Sequence, residues 1–272
     1  MQVKARAVIE AALVFSLTLG LAALVGLSAV GSLERQITNR PFIEYAVVIL
    51  LPVLLLVVAR RSPASYGLSL QDLPYPLDVA ATAFVPVAIA GAPLAFIDHR
   101  RWNGALVLAG IQIAVLFVLA RLLRRKPTRK EAAFQAGVVL LVSSSGFRPG
   151  ATPGNAVSAL AFYVFFLGLG EELLFRGYIQ SRLNVAFGRP YRFHGVNYGW
   201  GVVIASVLFG LMHVLNLGNL ASGDWDPAWW WGFWTFFGGL VLGFVREKTG
   251  SIVAPTILHG LPQAIAYSVL GL

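Results

Sequence analysis

The 272-residue chain contains no cysteine. That excludes a disulfide framework, a thiolate metal site and a cysteine nucleophile. Charge is scarce as well: Asp, Glu, Lys and Arg make up 12% of the chain, about half the share usual in soluble domains. Histidine occurs only 4 times. Apolar residues fill the remainder, at 57%. This is the composition of a polytopic membrane protein, so the expected fold class is all-α, with eight or nine transmembrane helices. The net charge of +9 then reads as a topology signal. No basic run alternates with aromatic residues on a polar background, so no nucleic-acid partner is expected. The expected surrounding is the lipid bilayer.

A spanning helix needs about 20 apolar residues. Nine apolar runs approach that length, at 7–30, 43–59, 76–97, 104–123, 132–146, 155–175, 200–217, 228–246 and 252–271. The run at 132–146 is the shortest, and the distribution of Lys and Arg tests it. If it crosses, sixteen basic residues fall on one side of the membrane and five on the other. If it does not, the split is eleven against ten. The asymmetry favours nine crossings, with the N-terminus cytoplasmic and the C-terminus outside, in the plasma (inner) membrane of a bacterium. Lys4 and Arg6 ahead of the first run would also suit a signal peptide. Its apolar stretch is long for a signal's h-region, which runs about 7–15 residues, so it is read as a span. "NLASGDWDPAWWW" has two aspartates and no Lys or Arg, and reads as an outer-face loop. The loop "SSSGFRPGATPGN" divides the chain: residues 1–150 hold N-terminal helices, and residues 151–272 hold the unusual residues.

An ionisable residue inside a membrane is costly and marks function by default. Four stand inside or at the edge of the late apolar runs: Glu171, Glu172, His213 and His259. Arg176 follows Glu172 by four residues, so the two share a helix face and can pair. Adjacent helical residues point about 100° apart, which leaves Glu171 facing another neighbour. A carboxylate without a cation beside it, near a histidine, is a plausible general base for water. The bland alternatives are a charged helix end whose side chains snorkel to the interface, and histidines bonded to backbone carbonyls. His194 and His99 read as loop residues. H-E-x-x-H, G-x-S-x-G and a Gly-rich phosphate loop with lysine are all missing from the sequence, which removes the usual zinc-helix, serine-elbow and nucleotide readings.

Three motifs in order carry a resemblance. "EELLFR" (Glu171, Glu172, Arg176), "FGLMH" (Phe209 to His213) and "HGLPQ" (His259 to Gln263) resemble the E-E-x-x-x-R, F-x-x-x-H and H-x-x-x-N motifs of the CAAX protease and bacteriocin-processing family of intramembrane endopeptidases. The resemblance covers about residues 155–272. It implies that Glu171 is the general base, that His213 holds or polarises the water, and that His259 stabilises the oxyanion. Gln263, where asparagine is usual, would add an amide donor. Glu172, Arg176 and Phe209 would support the site. Glu171, His213 and His259 are also a possible zinc set, and a metal-free glutamate mechanism uses the same residues. The implied partner is a membrane-embedded or lipid-anchored protein or peptide substrate. Some relatives mature secreted peptides, and others process C-terminal anchors in protein sorting. On these run boundaries Glu171 lies near the cytoplasmic end of its helix, so the cut is expected in the cytoplasmic half of the bilayer. Two other functions use the same residue types: a proton-coupled transporter with Glu and His relays, and a non-catalytic scaffold or immunity protein of the same fold.

Overall fold

The structure is a computed structural model describing residues 2–98, 100–135, 137, 153–216 and 226–267. Apolar runs can satisfy their backbone groups in hydrocarbon only by coiling on themselves, and the described runs are helices. They are α1 (Gln2–Leu27), α2 (Ala29–Thr38), α3 (Phe42–Val58), α4 (Pro74–Gly91), α5 (Trp102–Leu122), α6 (Ala156–Phe187), α7 (Trp200–Leu215), α8 (Trp229–Thr249) and α9 (Val253–Ile265). A small antiparallel hairpin, β1 (Tyr191–Phe193) with β2 (Val196–Tyr198), joins α6 to α7. The protein is a helical, multi-pass membrane protein.

Among the described residues, by length and composition, four helices can cross a bilayer, or five if the bent pair α2–α3 is one span. The described residues do not confirm the eight or nine expected. Helices α7 and α9 have only 16 and 13 residues, and α8 ends in Arg246, Glu247 and Lys248. Most of the run at 132–146 lies outside the described residues. The first run also differs from expectation. It breaks at Ser28, whose hydroxyl caps the N-terminus of α2 by accepting from Gly31 N–H at 3.2 Å. The chain then turns by 119° into α3.

The larger correction concerns the sixth run. Its polar residues suggested an end near 175, yet α6 continues to Phe187. The polar side chains beyond Arg176 find partners inside the bundle, so they do not stop the helix. Tyr178 Oη donates to Glu10 at 2.8 Å and Arg182 Nε donates to Glu10 at 2.8 Å. Gln180 Nε2 donates to Glu247 at 2.7 Å and to Gly243 O at 3.2 Å. Gly188, at φ 73°, ends α6 where a side chain would be strained. Arg176 and Arg182 therefore both lie inside α6.

Contacts mark the two ends of the bundle. At one end Arg61 pairs with Glu10 at 2.5 Å, Lys4 lies over the Phe187 ring, and Tyr75 Oη donates to Lys248 O. At the other, Phe42 meets Phe162 and Phe166 edge-on, Tyr163 stacks on Tyr267, Trp102 meets Phe233, and Arg35 pairs with Glu44. We term these the basic end and the opposite end. Between them two helix crossings are set by glycine. A Cβ on Gly260 of α9 would lie 2.2 Å from Tyr163 O of α6. A Cβ on Gly210 of α7 would lie 2.6 Å from Gly232 O of α8. Small residues at such crossings let membrane helices approach backbone to backbone, and these two bring α6, α7, α8 and α9 around one interior point.

Candidate active site

That interior point holds the motif residues. Glu171 and Glu172 lie on a four-residue α-helical turn, Leu169–Glu172. On either side α6 widens into π-helix, over Ala161–Gly168 and Leu173–Gln180. Such widening is frequent at functional sites, and here it sets which neighbours the two carboxylates face. All three charged groups of the first motif are buried: Glu171 is 4% exposed, Glu172 0% and Arg176 0%.

The glutamates have different partners, as their angular separation on the helix predicts. Glu172 Oε1 accepts from Arg176 Nη1 at 2.7 Å and lies 2.9 Å from His259 Nδ1. Arg176 Nη2 also donates to Gly239 O of α8 at 3.1 Å. Glu171 Oε1 accepts from the Tyr45 hydroxyl of α3 at 3.0 Å. Glu171 Oε2 has no hydrogen-bond partner and lies 3.7 Å from His259 Nε2. A buried carboxylate oxygen without a donor is costly, and Glu172 Oε2 is a second one in this cluster.

His213, near the end of α7, is oriented by its own helix: Nδ1 lies 2.8 Å from Phe209 O, the hydrogen bond the bland reading expected. That bond occupies one ring nitrogen and leaves Nε2 for other partners. Phe209 is the wedge of the cluster. Its ring centroid lies 4.7 Å from that of His213 and 5.7 Å from that of His259. The Arg176 guanidinium sits over it at 4.5 Å, within range of a cation–π contact. Trp231, the third residue of α8, meets the other side of His213 at 5.1 Å.

The structure thus gathers Glu171, Glu172, Arg176, Phe209, His213 and His259. Gln263 is one turn beyond His259 on α9 and half-buried, with no hydrogen bond to the two glutamates among the described residues. Tyr45 and Trp231 were not anticipated from the sequence. A signal for Tyr45 existed: "IEYAVV" places a glutamate and a tyrosine at the head of an apolar run. His99 lies outside the described residues. His194, at φ 46°, is in the β1–β2 turn, away from the cluster, as its loop reading expected.

A metal would need three donors converging on one point. Among the described residues no three His, Asp or Glu side chains form such a set. The residues therefore do not fit a metal ion. No curated protein matches the chain, and no solved structure does. A family model does: residues 153–265, which carry every motif residue of the cluster, match the family described as Rce1-like, type II CAAX prenyl endopeptidase Rce1-like, and the resemblance read from the motifs holds over that C-terminal part of the chain.

Proposed function

We propose that the protein is an intramembrane endopeptidase in which Glu171 activates the hydrolytic water. The observation that supports this most is the unpartnered, buried Glu171 Oε2 facing His259 Nε2 at 3.7 Å. A water bound at Oε2 gives its proton to that oxygen as its own oxygen attacks the scissile carbonyl carbon. The carbonyl C–O bond becomes an oxyanion. His259, as the imidazolium with Nδ1–H donating to Glu172, offers Nε2–H to that oxyanion and keeps both protons through the step. When the C–N bond breaks, Glu171 returns its proton to the leaving amine, and the carboxyl product forms. Atoms and charge balance with water as the only co-reactant. His213 positions the water through Nε2. Glu172 and Arg176 hold the His259 ring, and Phe209 keeps the two imidazoles apart. Gln263 is a candidate amide donor to the substrate.

The substrate is a membrane-embedded or lipid-anchored protein or peptide, because the site is walled by apolar helices. The catalytic core is residues 151–272, and residues 1–150 complete it with Tyr45. The test is a comparison of membrane and secreted proteomes between wild type and Glu171→Ala. The expected result is an uncut precursor in the variant, with folded protein still in the membrane. Normal processing in that strain would end the catalytic assignment.

A further inference from the structure

The basic end carries a charged cluster that the proposed chemistry does not use. Glu10 of α1 holds two arginines from other segments. Arg61, just past the end of α3, donates from Nη1 to Glu10 Oε1 at 2.5 Å. Arg182, near the end of α6, donates from Nε to Glu10 Oε2 at 2.8 Å. Two tyrosines fix the first arginine. Its Nη1 also donates to Tyr66 Oη at 3.0 Å and to Tyr178 Oη at 3.3 Å, and its guanidinium lies 5.8 and 5.7 Å from their ring centroids. One carboxylate thus serves two guanidiniums, and the cluster keeps a positive charge. Arg61 Nε and Nη2 and Arg182 Nη1 and Nη2 have no hydrogen bond among the described residues, and none of these atoms is sealed from the surroundings. Guanidiniums held in place with donors unfilled suit an anion, and phosphate above all.

Two hollows meet at Arg61. The first, of about 250 Å³, is lined by Arg61, Ser62, Ser65 and Arg182. Ser65 Oγ donates to Ser62 O, while Ser62 Oγ has no hydrogen bond among the described residues. The second, of about 460 Å³, is a groove between α1 and α3. Its walls are Ile9, Leu13, Leu17, Leu55 and Val58, with Arg6 at its head. Leu13, Leu17 and Val58 are 64%, 49% and 70% exposed, so the groove lies open to surrounding hydrocarbon along its side. From Arg6 to Leu17 the helix advances ~16 Å at 1.5 Å per residue. That matches one leaflet, half of a hydrocarbon core about 30 Å thick.

We infer that the two hollows form one binding site for an anionic phospholipid. Its phosphate lies against Arg61 and Arg182, its headgroup meets the two serines, and an acyl chain follows the groove beside Leu13 and Leu17. Basic pockets between membrane helices take anionic headgroups in this way. A free phosphate would fill the first hollow and leave the second empty, so the adjoining apolar groove selects a lipid. The bound lipid bridges α1, α3 and α6. The inference depends neither on the protease reading nor on which side of the membrane the basic end meets.

The test uses the full-length protein purified in a mild detergent. It is titrated with dioleoyl phosphatidylglycerol or dioleoyl phosphatidylcholine, and bound lipids are counted by native mass spectrometry. Arg6, Arg61 and Arg182 against Glu10 leave two positive charges in excess. At about fivefold in affinity per cation, the first phosphatidylglycerol should bind about ten- to thirtyfold more tightly than phosphatidylcholine. Ser65→Glu sets a carboxylate beside the two arginines without removing a partner of Glu10, and should cut that preference about fivefold. Ser62→Glu repeats the reversal from the neighbouring exposed serine. Arg129→Gln also removes one positive charge, outside both hollows, and should keep the full preference. Equal binding of the two lipids overturns the inference, as does an unchanged preference in both serine variants. An equal loss in Arg129→Gln overturns it too, by reducing the effect to diffuse surface charge. Displacement of the lipid by millimolar inorganic phosphate would make the first hollow a free-anion site and overturn the lipid assignment.

Discussion

His259 lies between two adjacent glutamates, with Nδ1 2.9 Å from Glu172 Oε1 and Nε2 3.7 Å from Glu171 Oε2. The two carboxylates are one residue apart in sequence, yet they meet opposite edges of the same ring. Glu172 Oε1 is held by a guanidinium and an imidazole and Glu171 Oε1 by a phenol, while the second oxygen of each carboxylate has no donor. The turn of the helix thus gives neighbouring, chemically identical residues different partners, a cation for Glu172 and a phenol for Glu171, as the proposed division into a structural and a reactive carboxylate requires.

That split predicts different phenotypes for two near-identical changes. Glu171→Gln should lower cleavage by about 100-fold to 10,000-fold, the range for loss of a general base, with thermal unfolding in detergent almost unchanged. Glu172→Gln should instead unfold at lower temperature. It removes the counter-charge of Arg176, which is 0% exposed, and stranding a buried charge costs about 3–5 kcal/mol. Equal unfolding temperatures for the two variants would contradict the division of roles.

If the pair is structural, removing both members should be gentler than removing one. Glu172→Gln with Arg176→Met leaves no stranded guanidinium, and replacing a buried ion pair by apolar groups is often close to neutral. The double variant should recover much of the unfolding temperature lost in Glu172→Gln. Its cleavage rate should stay low, because the His259 ring loses the carboxylate that orients Nδ1. Recovery of both properties would show that Glu172 does not position the ring.

The crossing of α6 and α9 should be just as sensitive. An alanine Cβ at 260 would lie 2.2 Å from the Tyr163 carbonyl oxygen, a backbone atom that cannot swing away. The helices must part, and overpacking of this kind costs about 1–3 kcal/mol. His259 is the preceding residue, so activity should fall with stability in Gly260→Ala. Gly238→Ala is the control. Its Cβ would meet nothing closer than the Gln112 side chain at 4.0 Å, and both properties should hold.

Much of this arrangement was legible in the sequence because the motifs carry their own helical spacing. Glu172 and Arg176 are four apart and do pair, and the His213 ring does bond the carbonyl four residues back. The end of α6 was misplaced for a physical reason. Tyr178, Gln180, Arg182 and Asn184 look like interface residues until their partners are known, and those partners, Glu10 and Glu247, are 63 to 172 residues away in the chain. The contribution of Tyr45 was hidden in the same way, since its bond to Glu171 spans 126 residues. Local spacing predicts contacts within a helix, and only tertiary packing reveals those between helices.

The donor set bears on chelation. Three convergent His, Asp or Glu side chains do not occur among the described residues. Cleavage by purified protein should therefore stay within about twofold of its starting rate after dialysis against a strong chelator, given the absence of a ligand set with the tetrahedral geometry zinc requires. Loss of cleavage that zinc alone restores would replace the direct role of Glu171 with metal chemistry.

Tyr45 offers the most discriminating single substitution, because it comes from α3, outside the segment that matches the family model. Its hydroxyl is the only hydrogen-bond donor recorded for Glu171 among the described residues, at 3.0 Å. Tyr45→Phe keeps the ring and its edge-on contact with Phe162 at 5.4 Å, so packing should survive. A hydrogen bond to a charged group is worth about 1.5–3 kcal/mol, which corresponds to a rate loss of about ten- to 150-fold if the bond orients the base. The loss should appear in kcat, with KM unchanged, because Tyr45 touches Glu171 and not the apolar walls that hold the substrate. Tyr45→Ala should cost more and should also lower stability, since it empties the space beside Phe162. If Tyr45→Phe cleaves at the wild-type rate, the N-terminal helices shelter the site without contributing to its chemistry.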